Sequence, residues 1–122
     1  MMKIQKLAIP AFAGATAFAV YMALTPKPPS LPIDKFGDKF AHMLAFFTLT
    51  ILARAAFPKA RWQSVLERLS FLGALIEVFQ AIPSLHRDCQ WNDWVADTLA
   101  ISVALALVWA LQRFTGFKLA ED

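Results

Sequence analysis

A single cysteine, Cys89, stands among the 122 residues. That excludes an intramolecular disulfide and a four-cysteine metal site, and a lone thiol leaves the redox compartment open. Charge is also scarce. Only 17% of residues are Asp, Glu, Lys or Arg, against 58% hydrophobic and a mean hydropathy of +0.50, which excludes an ordinary soluble domain. The net charge of +3 comes from scattered basic residues that form no stripe, so no nucleic-acid partner is expected. There is no G-x-S-x-G, phosphate loop or dinucleotide fingerprint, and Ser70, Ser84 and Ser102 have no identifiable base beside them. No internal repeat or low-complexity tract divides the chain, which reads as one domain over 1–122.

What the chain does have is long apolar runs. The first, 7–24, carries no charge and comes after Lys3 and Lys6. It is just long enough to span a bilayer. Small residues at Ala17 and Ala19 give it some likeness to a signal peptide, but we expect an uncleaved helix because the later runs are themselves membrane-like. Pro10 lies near its start, where proline is tolerated. The stretch 25–32 (TPKPPSLP) is an extended connection. A second helix is expected over 39–57, stopped by Pro58, with Arg54 snorkelling to headgroups from its last turn. A third is expected over 66–82, opened by a capping box of Ser64 and Glu67 and ended before Pro83. A fourth is expected over 94–112. The fold class is therefore all-α, a polytopic bundle of four transmembrane helices.

The basic residues set an orientation. Lys3, Lys6, Arg54, Lys59, Arg61, Arg68, Arg113 and Lys118 fall on one side; Lys27, Lys35, Lys39 and Arg87 fall on the other. The positive-inside rule puts both termini and the second connection in the cytoplasm. Trp91 and Trp94 would then anchor the outer interface, with Trp62 and Trp109 near the inner one.

Three of the apolar runs are each interrupted by an ionisable residue: His42, Glu77 and Asp97. Such residues are costly in a membrane, so they face protein interiors and mark working sites. Counted from the expected helix ends at 1.5 Å per residue, His42 and Asp97 lie about 6 Å and Glu77 about 9 Å below the outer end, nearly one depth. Asp38 with His42, Glu77 with Gln80, and Asp93 with Asp97 each project to one side of a helix. Ala45, Gly73, Ala100 and Ala104 accompany these faces and permit close helix approach. The second, third and fourth helices are expected to pack with these faces inward, and Arg87 in the short outer connection is placed to swing over and neutralise a carboxylate. The first helix, with only Thr16 and Tyr21 as polar candidates, is expected to be a supporting span.

These residues resemble a family. Residues 38–46 (DKFAHMLAF) resemble the D-K-x-x-H-x-x-A-F opening of VanZ-like membrane proteins, and Glu77–Gln80 is similar to their E-x-x-Q signature. Arg87, Asp93, Ala96 and Asp97 are similar to their R-x(5)-D-x-x-A-[ND] closing motif. The three elements occur in order over about 34–105, and the chain has Ala100 where the family often has glycine. The resemblance implies a multi-pass protein of the bacterial cytoplasmic membrane. The family takes its name from a member associated with low-level resistance to teicoplanin, and it supplies no reaction.

Each candidate residue has a bland reading beside the functional one. His42 is either a tie between helices through Glu77 or Asp97, or a proton acceptor or headgroup ligand, since imidazole titrates near neutrality. Asp93 and Asp38 are either helix N-caps or site residues. Gln80 is either a ligand or a bond to a neighbouring helix, and His86, Asp88 and Cys89 read as a solvated loop. His42, Glu77 and Asp97 include the donor types of a catalytic zinc site. With no H-E-x-x-H or cysteine pair in support, no metal or other cofactor is expected. The leading expectation is a binding pocket of Asp38, His42, Glu77, Gln80, Arg87, Asp93 and Asp97 for membrane lipids or a lipid-linked cell-wall intermediate. The alternative is a membrane-embedded hydrolase or transferase using Glu77 or Asp97 as general base, oriented by His42. Proton transport lacks a second cluster leading to the cytoplasmic side.

Overall fold

The structure is a computed structural model that describes residues 3–25, 38–85 and 89–116. These are all-helical: α1 (Lys3–Leu24), α2 (Asp38–Ala56), α3 (Trp62–Gln80) and α4 (Trp91–Thr115), with one 3₁₀ turn at Pro83–Leu85. α1, the Lys39–Ala56 stretch of α2, and α4 are long and apolar enough to cross a membrane. α3 carries Glu67, Arg68 and Glu77 within 19 residues and is not among them.

The helix ends correct several expectations. α1 begins at Lys3 rather than residue 7, so Pro10 lies well inside it. α3 begins at Trp62, with Arg61 as an extended N-cap and no side-chain cap. Ser64 is thus already helical, and the expected capping box does not form. The cause is the preceding turn. Arg54 donates through Nη1 to the Ala60 carbonyl (2.7 Å) and through Nη2 to the Pro58 carbonyl (3.0 Å), which closes the turn early. Arg54 is therefore buried, with its guanidinium 4.1 Å from the centre of the Trp62 ring, and does not snorkel to headgroups. α4 begins at Trp91 behind the N-cap Gln90, so Asp93 lies in the first turn and is not the cap. It ends on Gly116 (φ 75°), a left-handed position that glycine occupies without steric cost.

The helices alternate in direction. The Gln5 side chain near the start of α1 donates to the Ala56 carbonyl at the end of α2 (3.2 Å). At the opposite end, Gln80 of α3 donates to the Ala23 carbonyl of α1 (2.9 Å). α2 packs most extensively on α4 and α1, and α3 on α4, with lighter contacts between α3 and both α1 and α2. The core joins Phe46, Leu49 and Ala53 to Leu69, Ile76, Ile101 and Leu105. Buried Ala100 and Ala104 lie on the inner face of α4. The outer face of α4 is apolar as well, with Val95, Leu99, Val103, Leu107 and Leu111 exposed at four-residue intervals.

Candidate functional site

The start of α2, the end of α3 and the start of α4 meet at one end of the bundle, and this brings the predicted residues together. His42, Glu77 and Asp97 each offer a donor atom, and these atoms lie within 4.8 Å of one another. Glu77 is 0% exposed and Asp97 1%, while His42 is half-buried. Asp93, 5% exposed, is near enough for its charge to act on both carboxylates. The seven-residue spacing of Ser70 and Glu77, with Gly73 between them, aligns one face of α3 with α4. A Cβ on Gly73 would lie 3.5 Å from Asp97 Oδ2, Phe46 Cζ and Trp94 Cδ1. Glycine therefore leaves bare backbone beside the Asp97 carboxylate.

Hydrogen bonding satisfies this cluster only in part. Glu77 Oε2 accepts from the Gln90 backbone N–H at 2.9 Å. Glu77 Oε1, Asp93 Oδ1 and both oxygens of Asp97 are buried with no hydrogen-bond partner among the described residues. Buried polar atoms in native structures are almost always paired, so four orphaned carboxylate oxygens at one place call for a further group.

Gln80, an expected site member, and Cys89, expected in a solvated loop, stand differently from their expectation. Gln80 is buried and its amide nitrogen donates to the Ala23 carbonyl, tying α3 to α1, while its Oε1 is buried with no partner among the described residues. Cys89 is half-buried beside Glu77 and is not simply solvated. Burial, and then the neighbouring Glu77 charge, push its thiol above the ordinary cysteine range. Arg87, His86, Asp88 and the Asp38 side chain lie outside the described residues.

One turn or more toward the other end, Trp94 Nε1 donates to the Ser70 carbonyl (3.0 Å) and lies 3.2 Å from its hydroxyl, which is 2.9 Å from the Thr98 hydroxyl. This α3–α4 seam escaped the sequence reading, although Trp94 and Thr98 are one turn apart on the helix that carries Asp97. Trp94 is accordingly half-buried and ties two helices, whereas Trp91 and Trp109 are exposed.

No family model, curated protein or solved structure matches this chain. The resemblance to VanZ-like proteins rests on its three motifs.

Proposed function

We propose that this chain is a VanZ-like protein of the bacterial cytoplasmic membrane, with four spans, cytoplasmic termini and an outward-facing intramembrane pocket that recognises an envelope lipid or lipid-linked cell-wall precursor by its headgroup. The observation that carries this reading is the orphaned cluster: Glu77 and Asp97 are fully buried, yet three of their four carboxylate oxygens have no partner among the described residues. A cluster that only held helices together would pair its own polar atoms. The exposed aliphatic row on α4 supports a lipid-facing surface, because an outer face so apolar is unusual in a soluble protein. In this reading the carboxylates accept from hydroxyl or amine groups, and Arg87 donates to phosphate or carboxylate.

Native mass spectrometry of the detergent-purified protein tests it. Wild type is expected to retain a defined envelope lipid that Glu77→Gln and Arg87→Ala lose while remaining folded. Identical bulk phospholipid on all three proteins would overturn the binding reading. The closeness of His42 to two carboxylates also favours the enzymatic reading, in which Glu77 or Asp97 takes a proton from the attacking group. Product formed from the retained lipid on incubation would distinguish an enzyme from a binding module.

A further inference from the structure

We propose that His42, Glu77 and Asp97 bind a divalent transition-metal ion. The site stands independently of whether a lipid is recognised, and it departs from the metal-free pocket that the sequence suggested. Sequence spacing gives no check on donors from three separate helices, but the structure brings them within 4.8 Å of one another. Ligand bonds of about 2.0–2.2 Å to a tetrahedral ion place donors roughly 3.3–3.6 Å apart, so closing the site asks each donor to move by on the order of 1 Å.

Two further observations point to a cation. Asp97 is 1% exposed and neither of its oxygens has a partner among the described residues, and Glu77 Oε1 is likewise buried and orphaned. The charge also favours a cation. The two ligand carboxylates, when ionised, carry two negative charges, which a divalent ion cancels, and buried Asp93 beside them adds to the same field. Bare ionised carboxylates in a dry site are strongly disfavoured. The imidazole selects a transition ion over magnesium or calcium, and the carboxylates suit zinc or manganese. Three protein ligands leave the ion a position for water or a substrate oxygen. In that position it would turn a site lined by carboxylates, which repels phosphate, into one that accepts a phosphate oxygen.

The test uses the full-length, tag-free protein in detergent, stripped with a chelator and titrated with Zn²⁺ and, separately, Mn²⁺. Calorimetry is expected to show about one ion bound per chain, with Mg²⁺ and Ca²⁺ far weaker. His42→Gln, Glu77→Gln and Asp97→Asn should each weaken binding by more than the ~10–100-fold that outer-shell partners of a metal are worth. Glu67→Gln, an exposed carboxylate elsewhere on α3, should bind as wild type. A second measurement does not depend on the variants folding: saturating Zn²⁺ or Mn²⁺ should raise the unfolding temperature of wild type. Absence of stoichiometric binding and of that rise in wild type would overturn the proposal. So would Zn²⁺ binding left intact in folded Glu77→Gln and Asp97→Asn, which would assign the ion to other residues.

Discussion

Arg54 shows how a charge is accommodated without a counter-ion among the described residues. It is 3% exposed, sits at the carbonyl end of α2, donates to the Pro58 and Ala60 carbonyls and stacks on Trp62. The negative end of the helix dipole, two charge-assisted hydrogen bonds and a π face stand in for water at the two terminal nitrogens, while Nε is buried with no partner among the described residues. Arg54→Ala leaves those carbonyls unsatisfied and is expected to cost about 2–4 kcal/mol, read by thermal unfolding in detergent. Arg54→Lys should recover less than half of the loss, because a point charge cannot make both bonds and stack. A wild-type-like lysine variant would reduce the role to charge alone. Cys89 gives a second test at this scale. Its raised pKa means less thiolate at any pH near 8, so the chelated protein should react with an alkylating agent more slowly than a free cysteine. The rate should rise through a midpoint shifted to higher pH. Glu77→Gln removes one of the causes and should speed the reaction. Equal rates in both proteins would show that the carboxylate does not act on the thiol.

At the scale of elements, the apolar runs announced all four helices in order, because long stretches of mostly apolar residues bounded by prolines and polar clusters are a strong signal, even where α3 carries Glu67, Arg68 and Glu77. Their ends were less legible. Arg61 and Gln90 serve as N-caps without a side-chain hydrogen bond, so neither leaves a signature, while Ser64 with Glu67 and Asp93 imitate caps from inside the helix. The candidate site was legible for a different reason. An ionisable residue in an apolar run is conspicuous, and equal depth on three helices is countable. What could not be read was what each polar group bonds: that Gln80 is directed at α1, or that the Gln90 backbone reaches Glu77, depends on how the chain closes at the site. Gly73 was visible only as a small residue, and its specific duty is to admit Asp97, Phe46 and Trp94 at once. Gly73→Ala should be tolerated, since its methyl group would make ordinary 3.5 Å contacts. Gly73→Leu should force α3 away from α2 and α4, cost about 1–3 kcal/mol and disturb the cluster. Thermal unfolding of the two variants side by side would check this, and a leucine variant as stable as alanine would mean that the helices have room to spare.

Among the described residues, charge is unevenly placed along the bundle. Alternating helix directions put Lys3, Lys6, Lys59, Arg61 and Arg113 toward one end, while Lys39 stands with His42, Glu77 and Asp97 toward the other. A membrane reads such an asymmetry as orientation, because basic connections stay in the cytoplasm. The proposed function depends on this, since a pocket on the cytoplasmic side would meet different lipids. With the native thiol removed by Cys89→Ser, Lys59→Cys places a single reporter in the α2–α3 turn, where residue 59 is exposed. In intact bacterial cells, a membrane-impermeant maleimide should leave that cysteine unlabelled until the membrane is permeabilised. Labelling without permeabilisation would invert the bundle and turn the carboxylate cluster toward the cytoplasm. An envelope precursor presented at the outer face would then lose its claim as ligand, whereas the metal site, which depends only on donors from three helices meeting, would stand in either orientation.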